Sequence, residues 1–273
     1  MPAVPRLLYV TDLAYQARGR RYADEDLALS ALLRPTFDVA LADPRQAARL
    51  MDAFDVVVVR NSGPVIHYAD EYAAFRRHAL ETGARVFNPL VGRADMAGKG
   101  YLAELFASGY PVIPTVDRDD HLDRLPDVAA YVVKPMWGAD SVGMRIVAAG
   151  EIPRLDGQVL AQPRVTMTYE VSFYFIDRQF HYALYAPDPD RRWELTTYDP
   201  SRADLAFAQR FVDWNSLDHG IQRVDAARTV SGDLLLVELE DLNPYLSLDR
   251  VDTGTRDGFV SAMTSSLQRL LAG

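Results

Sequence analysis

The chain has no cysteine among its 273 residues. That excludes disulfide scaffolds, thiolate nucleophiles, zinc fingers and iron–sulfur clusters. Histidine is scarce as well. The five present (His67, His78, His121, His181 and His219) show no H-x-x-x-H spacing and read as structural or surface residues. Long apolar runs are missing: Val128–Val133, the longest, is far short of the roughly 20 residues that cross a bilayer. The start, MPAVPRLLYV, lacks a secretory pattern because Leu7–Val10 leads into charge within a few residues. A soluble cytoplasmic protein is expected. Basic residues number 29 against 38 acidic ones, a formal charge of −9. Neither a nucleic-acid backbone nor an anionic membrane is then an expected partner.

Lysine is the least used of the common charged residues. Only two of the 29 basic residues are lysine, Lys99 and Lys134; the rest are arginine. A chain that otherwise chooses arginine keeps lysine where a compact point charge is needed. Coding bias with two leftover surface lysines would give the same count, so their location decides.

What remains is globular: 49% apolar, 25% charged, with 16 glycines and 16 prolines. The length suits one large domain or two modest ones. Over the first ninety residues strands alternate with helices. Strands are expected at Arg6–Thr11, Phe37–Ala42, Phe54–Arg60 and Ala84–Asn88. Helices are expected at Tyr22–Leu33, Pro44–Ala53 and Ala69–Thr82. This alternation predicts a doubly wound parallel sheet. Val56–Val59, apolar throughout, fits a strand covered on both faces. Arg60-Asn61-Ser62 then falls at its carboxyl end, where open sheets bind ligands. No G-x-G-x-x-G follows the first strand, so nothing indicates a nicotinamide or flavin cofactor.

Beyond the connection Pro89–Arg93 the pattern changes. Asp95 is placed to cap a helix running to about Ser108, ended by Gly109 and the Pro111/Pro114 pair. Short strands then dominate, at Ala130–Lys134, Gly143–Val147, Gln158–Gln162, Glu170–Ile176, Gln179–Ala186, Arg223–Val230 and Leu234–Glu240. Asp177-Arg178 and Ser231-Gly232 are hairpin-turn signals. Helices are expected at Ala203–Asn215 and Arg256–Leu271. The second part is thus α+β with antiparallel pairs.

Two stretches carry chemistry. Val132-Val133-Lys134-Pro135 ends a strand, and a loop with Gly138 and Gly143 follows. A strand-terminal lysine beside such a loop can hold phosphate oxygens; a plain turn with one exposed lysine shows the same pattern. The second stretch is Arg223–Asn243. A two-residue turn at Ser231-Gly232 places Asp225 opposite Glu238 and Arg223 opposite Glu240. Glu238 and Glu240 share a face, since strand side chains alternate. Opposed like charges cost a few tenths to about 1 kcal/mol, and a divalent cation between them reverses the sign. Mg²⁺ takes one or two carboxylates plus phosphate oxygens and water, and Asn243 could add a carbonyl. A solvent-facing hairpin with an Arg223–Glu240 surface pair is the alternative. Val237 and Leu239 are expected on the opposite, packed face.

Together these stretches resemble the ATP-grasp superfamily, in particular the branch of glutathione-synthetase-like and D-cycloserine-forming ligases. Lys99-Gly100-Tyr101-Leu102, followed by Gly109-Tyr110-Pro111-Val112-Ile113-Pro114-Thr115, is similar to that branch's K-x-Y-L…G-x-P-V-x-P-T segment. Val132–Pro135 with the Gly138–Gly143 loop resembles its phosphate-covering segment. Leu160-Ala161-Gln162-Pro163 and Glu170-Val171-Ser172 look like its hinge and GE-x-S segments. Arg223-Val224-Asp225 and Glu238-Leu239-Glu240…Asn243-Pro244 resemble its metal-ligand strands. The similarity reaches the start of the chain through Tyr22–Asp26, Val58–Arg60 and Phe87–Pro89.

The resemblance implies a Rossmann-like domain over 1–90 and an ATP-grasp domain over 91–273, divided into a nucleotide-covering part (91–160) and a C-terminal part (161–273). It implies ATP and Mg²⁺. Lys99 and Lys134 would contact phosphates, with Gly138 and Gly143 in the covering loop. The backbone of Ala161, Gln162 and Pro163 would meet adenine, and Glu170 the ribose. Asp225, Glu238, Glu240 and Asn243 would hold the cation, and Arg223 would steady the transferred phosphoryl group. The expected activity is ATP-dependent ligation of a small carboxylate to an amine through an acyl phosphate, on an amino-acid-like substrate. Alternatives are a nucleophile other than an amine, or a nucleotide-binding protein without catalysis. Homodimerisation is left open. Three departures mark the substrate side, the first being the bulk that Pro135-Met136-Trp137 puts beside the phosphate loop. The family's basic, Gly-Gly-containing loop is replaced by Pro187–Glu194, where Arg191 or Arg192 would supply the basic group. Arg60-Asn61-Ser62 stands where Arg-Ser-Thr-Trp-Asp is usual.

Overall fold

The computed structural model describes residues 3–15, 22–61, 65–138, 141–188, 191 and 194–273. Its first part alternates β1 (Arg6–Val10), α1 (Tyr22–Leu33), β2 (Asp38–Ala42), α2 (Ala47–Leu50), β3 (Val56–Val59), α3 (Ala69–Thr82) and β4 (Val86–Phe87). The strands form a parallel sheet in the order β2-β1-β3-β4. All four valines of β3 are buried, as a β-branched run between two helical layers requires. The expected helix over Pro44–Ala53 is instead α2 flanked by two single 3₁₀ turns. Asp43 fixes its entry by accepting the Arg45 N–H.

The rest comprises α4 (Tyr101–Ala107), β5 (Val116–Arg118), β6 (Ala130–Pro135), β7 (Arg145–Ala148), β8 (Asp156–Pro163), β9 (Met167–Ile176), β10 (Gln179–Ala186), β11 (Thr196–Tyr198), α5 (Arg202–Asn215), β12 (Ile221–Thr229), β13 (Leu234–Glu240) and α6 (Thr253–Ala272). Two antiparallel sheets result, ordered β5-β8-β6-β7 and β11-β10-β9-β12-β13. The short edge strands β5 and β11 carry no sequence signal. Asp95 does not cap a helix: it lies in a 3₁₀ turn, Asp95–Ala97, and α4 begins at Tyr101. Helix α5 does start on a capping box, with Ser201 and Asp204 exchanging side-chain and backbone bonds.

The larger antiparallel sheet positions the site because its two faces pack differently. Val171, Phe173 and Phe175 of β9 join Val224 and Ala226 of β12 in a core with α4 and α5. On the opposite face Tyr174 and Ile176 meet α6 and the parallel sheet, through Phe259, Met263, Leu7 and Val58. Toward the other end of that face stand Glu170, Ser172, Arg223 and Asp225. Strand alternation puts them there.

Asn88 ties the first part to the larger sheet. Its side chain donates to the carbonyls of Ile221 (2.6 Å) and Asp241 and accepts the Ile221 N–H at 2.7 Å. Gly220 makes this approach possible. Its φ is +125°, and a Cβ there would sit 2.5 Å from Asn88 Oδ1.

Candidate active site

The expected register holds where the chemistry lies and fails at the turn. Arg223 pairs with Glu240 and Asp225 with Glu238, but the next pair is Ala226 with Leu236. Val237 is an extra residue, a β-bulge. It lets Leu236 and Leu239, three apart, face the same core, while Val237 lines a cleft with Glu238 rather than packing beside Leu239. The bulge is also where the proline-rich segment joins the sheet. Leu236 donates to the Pro111 carbonyl (2.9 Å) and accepts from Ile113 N–H (3.1 Å).

The cleft lies between the two antiparallel sheets and encloses about 650 Å³. Lys99, Lys134, Gly138, Gln162, Pro163, Glu170 and Glu238 all line it. The two lysines, thirty-five positions apart, therefore share one cavity. Backbone bonding keeps their segments together, because Lys99 N–H donates to the Met136 carbonyl at 2.9 Å. Lys99 is only 6% exposed. Its ammonium bonds Asp95 Oδ1 at 2.9 Å and the Glu238 carboxylate. Trp137 packs on Gly98, whose φ is +88° and where a Cβ would lie 3.2 Å from the indole. The bulk after Pro135 thus shapes the turn that delivers Lys99.

The tyrosine of the Lys99-Gly100-Tyr101 motif fixes that turn to β13: Leu239 N–H donates to Tyr101 Oη at 2.7 Å. Asp241 holds the other side, accepting from Met96 N–H (2.7 Å), Ala94 N–H (3.1 Å) and Asn215 Nδ2 (3.1 Å). It is fully buried, and burial raises its pKa to about 6 against those three donors. Sequence reasoning passed over Asp241 and took Asp95 only for a helix cap. The run of alternating acids Glu238-Leu239-Glu240-Asp241 was the available signal, since an acid on the packed face must bind something.

Asp225, Glu238 and Glu240 each offer an oxygen within 4.8 Å of the others. Hard oxygen donors at this spacing suit a magnesium-type cation. Each carboxylate already has a cationic partner. Arg223 bonds Asp225 (2.8–3.1 Å) and Glu240 (2.5 Å), and Lys99 bonds Glu238. Burial pushes the Glu240 carboxyl up to about 7 although Arg223 pulls it down. Burial alone would lower the Arg223 pKa, but Asp225 and Glu240 outweigh it and hold the guanidinium well above the usual arginine value. Ser172 Oγ donates to Asp225 at 2.6 Å, which gives the serine of Glu170-Val171-Ser172 its role.

Ala161 is fully buried and its backbone pairs with Val133; Gln162, which lines the cleft, donates its side-chain amide to Thr115 Oγ1 at 2.8 Å. Gly143 does not line the cleft; a Cβ there would meet Pro135 Cγ at 2.8 Å. Asn243 follows in the loop three residues after Glu240. Arg191 is exposed and paired with Asp188 and Glu194, each at 2.8 Å, a solvated loop charge. Arg192 lies outside the described residues, as do Ser62 and residues 139–140 of the phosphate loop. Arg60 is buried and bonds Glu25 at 3.3 Å.

No family model matches the chain, and no curated protein does. Solved structures do. D-cycloserine synthetase DcsG superposes with a TM-score of 0.73 at 23% identity, over 97% of this chain and 99% of that one. D-alanine–D-alanine ligase from Bacillus anthracis, complexed with ATP, gives 0.67 at 11% identity over 98% and 99%. The ATP-grasp ligase PsnB, complexed with a minimal precursor, gives 0.65 at 17% over 96% and 99%. The chain has the ATP-grasp fold. In this ATP-grasp chain no described helix is long and apolar enough to cross a membrane.

Proposed function

We propose that the protein is an ATP-dependent carboxylate–amine ligase that forms an amide bond on a small amino-acid-like substrate. One observation carries the reading. The chain's two lysines line a single cleft whose margin bears three clustered carboxylates, and one lysine bonds one of those acids. A triphosphate with its cation needs this arrangement of opposite charges. The fold shared with DcsG and with D-alanine–D-alanine ligase supports it.

A carboxylate resists nucleophiles because of its charge. Its oxygen attacks the γ-phosphorus of ATP, ADP leaves, and the acyl phosphate so formed has a good leaving group. The amine nitrogen then attacks the acyl carbon; phosphate departs, a proton is released, and the amide remains. Lys99 and Lys134 hold phosphate oxygens in the cleft, and Glu170 on its wall meets the ribose. Arg223, tied down by two acids and the Tyr245 carbonyl (3.0 Å), offers a fixed positive charge beside the reacting phosphoryl group. Asp225, Glu238 and Glu240 would hold Mg²⁺, which supplies charge neutralisation of the phosphates when bound. Positioning and electrostatics carry such a reaction without a protein nucleophile.

The test is an ADP-release screen over amino acids and amines with mass detection of products. Amine-dependent ADP release, with a product one water lighter than the two substrates together, is expected. A phosphorylated or ester product would replace the amine by another nucleophile. Absence of a thermal shift with a non-hydrolysable ATP analogue and Mg²⁺ would remove the nucleotide site altogether.

A further inference from the structure

Between Gly92 and Lys99 the chain forms no strand and only one 3₁₀ turn, yet it delivers the ammonium that meets Glu238. Side chains hold it in place. Arg93 N–H donates to Asn215 Oδ1 at 2.8 Å, Ala94 N–H to Asp241 Oδ2 at 3.1 Å and Met96 N–H to Asp241 Oδ1 at 2.7 Å. The N–H groups of Ala97 and Gly98 close on the turn's own carbonyls, and Lys99 N–H then crosses to Met136. Asn215 Nδ2 completes the set, donating to Asp241 Oδ2 at 3.1 Å and to Gln222 Oε1 at 2.9 Å. Three donors thus converge on the two oxygens of one buried carboxylate. A neutral amide at 241 would turn an NH₂ against at least one of them, so this place requires an acid. There is no slack around it: a Cβ on Gly92 would lie 2.2 Å from Asp241 Oδ2.

Asp241 follows Glu240 directly and stands three residues after Glu238. One short stretch of backbone therefore carries two of the clustered acids and the clamp on the lysine turn. Asp241 itself does not line the cleft. We propose that Asp241 is a positioning residue of the ligase. It sets the spacing between the Lys99 ammonium and the acids of β13, and through that spacing the affinity for the nucleotide phosphates. This rests on the function proposed above. Lysine carries its charge on a flexible four-carbon stem, so the place where the stem starts decides what the ammonium can reach. Asp95, which bonds that ammonium at 2.9 Å, belongs to the same turn and moves with it.

Having only two lysines makes the test direct. Protein labelled with carbon-13 at the lysine Cε shows one resonance for each, and Lys99→Arg identifies which belongs to Lys99. In Asp241→Asn the Lys99 resonance is expected to move and the Lys134 resonance to stay, with an unchanged circular dichroism spectrum. Calorimetry with a non-hydrolysable ATP analogue and Mg²⁺ is expected to show binding weaker by about tenfold, within the roughly hundredfold that a misplacement of about 1 Å can cost. Asn215→Ala removes one donor to Asp241 and the acceptor of Arg93 N–H. It is expected to move the same resonance and weaken binding by a smaller factor, and it carries the test if Asp241→Asn does not fold. A Lys99 resonance that stays in place, or wild-type affinity despite a moved resonance, would overturn the assignment and leave Asp241 a purely structural acid. Failure of the wild type to bind the analogue would instead overturn the ligase reading, since the resonances are read without nucleotide.

Discussion

Lys99 and Glu238 are bonded to each other inside the cleft, although one belongs to the turn before α4 and the other to β13. The ammonium assigned to phosphate thus neutralises an acid assigned to the cation. Loading the cleft with a magnesium nucleotide would exchange both partners at once. Glu238→Gln removes one cation ligand while keeping shape. ADP release should fall about 10²–10³-fold, the scale of losing one preorganised charge contact, with an unchanged circular dichroism spectrum. Wild-type turnover in this variant would end the assignment.

Lys134 has its own signature. Lys134→Ala should leave the fold intact and lose most of the thermal shift with a non-hydrolysable ATP analogue, at a concentration about 100-fold above the wild-type Kd. A retained shift would mean that the lysine is a surface charge after all.

Asn88 offers a prediction about stability rather than turnover. It is 4% exposed and satisfies both backbone groups of Ile221 and the carbonyl of Asp241. Asn88→Ala strands these groups away from water, at about 1–3 kcal/mol each before relaxation. A net loss of about 3 kcal/mol in urea unfolding is expected; a loss under about 1 kcal/mol would show that water replaces the amide.

His181 predicts a pH dependence. Burial holds its imidazole below the ordinary value, with Asp177 acting the other way, and its ring packs edge-on against Phe259. Well above about pH 6.5 the ring is neutral in both folded and unfolded chains and contributes no slope. As pH falls below that value the unfolded chain binds a proton that the folded chain refuses, so stability declines. The slope should be a fraction of the ~1.4 kcal/mol per pH unit of one fully withheld proton, because the ring is only half-buried. His181→Phe should remove this contribution, so that stability falls less steeply than in the wild type between pH 6.5 and 5.5. Parallel curves for the two proteins would contradict this.

The N-terminal βα alternation was legible because an all-valine buried strand and a helix ended by Gly83 leave plain marks in the sequence. Helix α3 (Ala69–Thr82) and strands β10 and β13 lie where the pattern puts them. The two-lysine count marked Lys99 and Lys134 for inspection, and it is their position in one cleft that brings them together. The bulge at Val237 was not legible, since strand alternation alone cannot reveal one extra residue; its mark is the three-residue spacing of Leu236 and Leu239. Asp241 escaped because a buried acid and an exposed one look alike until their donors are known.

The bulge has a practical corollary. Leu236 is pinned on both its backbone groups by Pro111 and Ile113, so the acids downstream are anchored independently of the hairpin tip. Val230, 77% exposed at that tip, marks a place where foreign sequence can be spliced in. A reporter protein fused between Val230 and Gly232 should leave the chemistry of the cleft untouched.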